Sequence, residues 1–211
     1  MRRVPWWAVL SSLLAPIFLM GGWTVAAALQ PPDFSATRDT ISSLAALGAA
    51  DRWVMTAGLA GVGVCHVITA LGLHPAARVG RIVLAVGGVA TILVAVFPVP
   101  EAGISRTHYA VATVGFAALA LWPAFAWRRG PEASGDLQAG PAIVATVVLL
   151  GLLGWFGYEM LTNGPRVGLS ERFAAGAQAL WPMLVVLSTR TTSAPDPSPI
   201  DHDSKVDRDT V

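Results

Sequence analysis

Six apolar runs alternate with polar connectors along the chain, at residues 6–29, 53–73, 82–97, 107–127, 141–161 and 173–187. Each is near the roughly 20 residues that cross about 30 Å of hydrocarbon as a helix, with the third and sixth at the short end. The pattern predicts an all-α polytopic membrane protein, a bundle of six transmembrane helices. The first run follows Arg2 and Arg3 and carries Trp6, Trp7 and Trp23 near its ends. It is longer than the roughly 7–15 apolar residues of a secretory leader, and its tryptophans suit interfacial anchors, so it is read as a retained span. In the second run Ala57, Gly61 and Cys65 recur every four residues, a small-residue stripe suited to close helix packing. Pro98 and Pro100 end the third run, Pro123 is expected to kink the fourth, and Gly151, Gly154 and Gly157 share one face of the fifth.

The longest early polar interruption, residues 39–53, has a pattern of its own. Ile41, Leu44 and Leu47 recur at helical spacing, Asp39 is placed as the N-cap and Gly48 as the stop, which predicts a short interfacial helix in the first outer loop. Its apolar residues are expected against the bundle or bilayer, with Asp39 and Ser43 turned toward the outer face. At the other end, residues 191–211 are rich in Pro, Ser and Asp with almost nothing to bury. The chain therefore divides into a six-span domain, residues 1–190, and a disordered cytoplasmic tail, residues 191–211.

Composition sharpens this picture. Of 211 residues, 54% are hydrophobic and only 13% charged, too few to solvate a soluble surface of this size. A net charge of +1 and the lack of any basic cluster interleaved with aromatics exclude a nucleic-acid partner and leave membrane lipid as the expected one. Cys65 is the lone cysteine, so neither an intrachain disulfide nor a CxxC metal knot is possible. The strong preference for Arg over Lys, with abundant Ala, Gly, Val and Pro, points to GC-rich codons and a bacterial inner membrane. Arg2, Arg3, Arg78, Arg81, Arg128, Arg129 and Arg190 fall on one side of the six spans, largely without acidic neighbours. By the positive-inside rule that side is cytoplasmic and holds both termini.

The opposite, outer face collects the remaining ionisable groups. Asp39, Ser43, Arg52, Arg106, His108, Glu159 and Arg172 are the candidate ligand-binding residues, and Glu159, in the last turn of the fifth span, is expected to pair with Arg172, Arg106 or His108. His108 with Asp39 or Glu159 has the makings of a general-base pair, because imidazole titrates near neutrality and a carboxylate fixes its tautomer. Ser43 or Ser42 adds a hydroxyl, but no GxSxG elbow surrounds either serine. The three histidines of the spans and their ends, His66, His74 and His108, lie at different depths and cannot meet at one metal, so no metal and no cofactor is expected. His66, alone within a span, is expected to be neutral and hydrogen-bonded across helices.

The sequence ISSLAALGAADRW before the second span, FPVP closing the third, His108 opening the fourth and six spans in about 200 residues resemble the bacterial membrane family catalogued as domain of unknown function 998. FPVP lacks the acidic residue associated with FP in that family, Glu101 following instead. The resemblance implies an integral membrane protein and brings no established activity. The residues themselves favour an outward-facing polar pocket for a lipid headgroup or small solute. A membrane-embedded lipid or headgroup hydrolase and a small-solute transporter are the alternatives, and no reaction is assigned.

Overall fold

The structure, a computed structural model, describes residues 3–101, 103–129 and 135–191, with residues 190 and 191 described by backbone alone. Seven helices and no strand occur among the described residues: α1 (Trp6–Ala28), α2 (Ile41–Leu44), α3 (Trp53–Gly72), α4 (Arg78–Val96), α5 (Arg106–Ala126), α6 (Ala139–Thr162) and α7 (Val167–Thr191). Five of them, α1, α3, α4, α5 and α6, are long and apolar enough to cross a membrane. The predicted tail lies outside the described residues beyond Thr191.

Within α1, Pro16 has no N–H to continue the i→i−4 pattern, and the helix widens into a π turn over Ile17–Gly21 before resuming. Leu19 is the buried residue of that turn. Helices α3 and α4 cross at Gly63 and Gly88, where a Cβ on Gly63 would sit 2.5 Å from the Gly88 carbonyl oxygen. The stripe expected on α3 is thus displaced: Ala57 is exposed, and the backbones meet through Gly58 (against Gly22) and Gly63.

Helix α4 begins at Arg78, one turn ahead of the apolar run that predicted it. The early start is stabilised because Arg81 lays its guanidinium across the end of α3, donating to the Ala70 carbonyl at 2.7 Å and the Leu71 carbonyl at 2.5 Å. Helix α5 is capped by Ser105, whose Oγ accepts the His108 N–H at 3.2 Å, and it runs on through Pro123.

The first long connector also differs from expectation. Helix α2 is a single turn capped by Thr40, whose Oγ1 accepts the Ser43 N–H at 3.1 Å. Asp39 Oδ2 instead accepts the Ser35 N–H at 2.6 Å and closes the preceding turn. Ile41 and Leu44 are buried, but Leu47 is 55% exposed and its N–H donates to the Val99 carbonyl at 3.0 Å, joining two connectors at one end of the bundle.

Two apolar clusters hold the helices together. One gathers Val4, Ala8, Leu73, Leu84, Trp122 and Val185, and the other Leu19, Ile41, Leu44, Met55, Val62 and Val94. On α3, His66 falls between Val62 of one cluster and Ala70 of the other. Helix α6 is peripheral, packing on α5 and α7 and leaving Ile143, Val144, Val147 and Val148 exposed.

Candidate functional site

Two adjoining cavities lie at and below the end of the bundle where α2 sits. The larger, about 630 Å³, is bounded by α5, α6, the α2 segment and residues 99–101. Its polar lining includes Thr40, Ser42, Ser43, Glu101, His108 and Glu171, with Tyr109 and Thr113 further along α5, and its apolar wall includes Phe116, Leu153, Phe156, Met160 and Leu161. Such a volume and such a mixture are typical of small-molecule sites. The Phe116 and Phe156 rings meet with centroids 5.3 Å apart where α5 faces α6. The smaller cavity, about 60 Å³, lies in the centre of the bundle among Leu19, Leu59, Val62, His66, Thr91 and Gln178. Ser42, Ala112, Phe116 and Glu171 border both cavities, so the two meet at those residues.

Glu171 is the charged group at that junction. It lies in the first turns of α7, ahead of the apolar run that starts at Phe173, and is 3% exposed. One carboxylate oxygen accepts the Ile41 N–H at the start of α2, and the other accepts the Ser42 hydroxyl at 3.4 Å. A carboxyl group beside a hydroxyl, where two cavities share a wall, is placed to exchange a proton with it.

The residues singled out by sequence occupy varied positions around this feature. His108 is buried and lines the larger cavity; its Nδ1 lies 2.8 Å from the Phe97 carbonyl, to which it donates. Ser43 lines the same cavity, but its hydroxyl donates to the Thr40 carbonyl at 2.6 Å. Asp39, Arg52, Arg106, Glu159 and Arg172 are not among the lining residues of either cavity. Arg52 donates to the Ala45 carbonyl at 3.4 Å. Arg106 is exposed.

The expected Glu159–Arg172 pair does not form. Glu159 accepts the Trp155 indole N–H at 3.3 Å and the Arg166 backbone N–H at 2.9 Å. Arg172 Nη1 donates to the carbonyls of Ala36, Asp39 and Gly168 at 2.7, 2.8 and 2.9 Å. The guanidinium thus fastens the first long connector to the start of α7, aided by Leu169 N–H donating to the Thr37 carbonyl at 3.0 Å.

His66 also departs from expectation. It is 1% exposed, it lines the central cavity, and neither ring nitrogen has a hydrogen-bond partner. Gln178, also 1% exposed, donates through Nε2 to the Phe116 carbonyl at 3.0 Å and leaves Oε1 without a partner. Neither Gln178 nor Glu171 stood out in the sequence as a site residue. The signal was there: Glu171, Ala175 and Gln178 follow i, i+4, i+7 spacing, which puts two polar groups on one helical face with only a small residue between them.

Among the described residues, a bundle of long apolar helices around a buried polar junction has the architecture of a multi-pass membrane protein. The chain belongs to the family described as Protein of unknown function (DUF998), whose model matches residues 12–188 and so takes in both cavities. No curated protein and no solved structure matches the chain.

Proposed function

We propose that this protein crosses the bacterial inner membrane six times, α7 being the sixth crossing, and binds a lipid headgroup or small solute in the larger cavity. The cavity faces outward and both termini are cytoplasmic, as the basic residues before α1, around the α3–α4 turn and after α5 favour. On this reading α2 lies at the outer membrane surface. The observation that carries the proposal is a cavity of about 630 Å³ with apolar walls on α5 and α6 and polar groups contributed by α2, residues 99–101, α5 and α7, a mixture that suits a molecule with an apolar body and a polar end.

A hydrolase acting on such a molecule is the second reading, and one observation favours it. The Ser42 hydroxyl donates to the Glu171 carboxylate at 3.4 Å, next to the space where a substrate would lie.

Mass spectrometry of lipid retained by the purified full chain tests the binding proposal, with Gly157→Phe as the control. Gly157 lines the cavity and a Cβ there meets nothing within 4 Å, so the phenyl group fills the cavity rather than clashing with a helix. The expected result is a lipid species retained by the wild type and lost from Gly157→Phe. Equal retention by both would overturn the proposal.

A further inference from the structure

We propose that the central chamber is the innermost subsite of the same binding site, and that it takes a hydroxyl or amine group carried in past Ser42 and Glu171. This rests on the reading of the larger cavity as the seat of an amphiphile.

The chamber has three properties that an apolar packing defect lacks. Its walls carry two polar side chains that are almost completely buried and have atoms without partners: both ring nitrogens of His66 and Oε1 of Gln178. Buried polar groups are nearly always hydrogen-bonded, and leaving them unpaired is costly. Its volume of about 60 Å³ exceeds the roughly 10–15 Å³ that one water-sized group occupies, so it has room for a small polar group but not for a whole headgroup. It also adjoins the larger cavity, with which it shares four wall residues.

The unpartnered atoms specify what would satisfy them. Gln178 Oε1 needs a donor, because the amide nitrogen is already committed to the Phe116 carbonyl. A neutral imidazole presents one donor and one acceptor. Thr91 spends its hydroxyl proton on the Gly87 carbonyl at 2.8 Å and keeps its lone pairs. The occupant must therefore donate as well as accept. A hydroxyl does both, and an alkylammonium donates while a water accepts. A phosphate dianion offers no proton to Gln178 and would bring negative charge beside Glu171, the one acidic residue that lines the chamber. A hydrocarbon end satisfies none of these atoms.

The test uses the full chain in phosphatidylcholine nanodiscs, with 1-dodecanol, dodecylamine, dodecyl phosphate and dodecane as probes. Thermal stability reports binding, the ¹⁵N signals of the His66 ring report occupancy of the chamber, and Gly157→Phe corrects for changes in the bilayer. Dodecanol and dodecylamine are expected to bind about tenfold more tightly than dodecane or dodecyl phosphate, the effect of one well-made hydrogen bond, and to move the His66 signals. Gln178→Leu should abolish that preference while dodecane still binds. If all four probes bind alike and His66 does not respond, the chamber holds water alone and the inference falls, while the larger cavity keeps its proposed role. If no probe gives a response that Gly157→Phe removes, both readings fall. The His66 measurement is made on the wild type, so it decides the matter even if Gln178→Leu fails to fold.

Discussion

Glu171 and Ile41 meet across 130 positions of sequence, the carboxylate of the one accepting the backbone N–H of the other. This contact fixes α2 over the cavities: the first turn of a four-residue helix has too few hydrogen bonds of its own to persist, and α7 supplies the acceptor. Removing the acceptor should therefore loosen the connector: Glu171→Ala frees the Ile41 N–H and the Ser42 hydroxyl, and should cost about 1–3 kcal/mol and speed amide exchange through residues 41–44. Thermal unfolding and amide exchange of both proteins measure the difference; unchanged exchange at Ile41 would show that Glu171 does not hold α2.

Arg172 gives a second prediction, because it and Glu159 are committed to different partners. Arg172→Gln releases carbonyls at Ala36, Asp39 and Gly168, and should cost about 1–3 kcal/mol and speed amide exchange through residues 36–41. Glu159→Gln disturbs only the Trp155 and Arg166 contacts. In a double-mutant cycle the two effects should add to within about 0.5 kcal/mol. A larger coupling energy would mean that the two side chains form the ion pair first suggested by their positions in sequence.

How far the sequence goes is clear from these same residues. Long apolar runs place α1, α3, α5 and α6, and Ser105 marks the start of α5, because hydrophobic length and local capping are properties of a segment by itself. The cap of α2 was harder: Asp39 and Thr40 are both good N-caps, and what separates them is the preceding turn, which Asp39 closes by accepting the Ser35 N–H. The start of α4 was masked by a contact between helices, Arg81 being tolerated in the first turn because α3 offers it carbonyls. Of the candidate site residues, Ser43 and His108 line the larger cavity. Glu171 was legible only as one more loop charge, and Gln178 as an isolated polar residue in an apolar run. Their common face becomes meaningful once α3 brings His66 to it.

Topology is tested without reference to any ligand. The arginine distribution predicts that a reporter active only in the cytoplasm works when fused after Arg129 or Arg190, and a periplasmic reporter works when fused after Gly48 or Gly164. The reverse pattern would invert the orientation and turn both cavities toward the cytoplasm. A periplasmic signal after Arg190 with a cytoplasmic one after Arg129 would instead show that α7 does not cross.

The last prediction contrasts glycines that the sequence makes look alike. At the α3–α4 crossing, a Cβ on Gly88 would lie 2.7 Å from the Gly63 carbonyl oxygen and 3.0 Å from the His66 Cβ, so the added methyl must push two helix backbones apart. Gly88→Ala should therefore cost about 1–3 kcal/mol, the usual penalty for overpacking a tight interior, and should disturb the chamber wall at His66. On α6, a Cβ at Gly151 or Gly154 meets nothing within 4 Å. Alanine there removes backbone freedom from the unfolded chain without a clash, so Gly151→Ala and Gly154→Ala should be neutral or stabilising by up to about 1 kcal/mol. Thermal unfolding of the three single variants decides it. A marked loss of stability in the α6 variants would reveal that another helix closes on that face, and a harmless Gly88→Ala would show that α3 and α4 cross less closely than Gly63 and Gly88 allow.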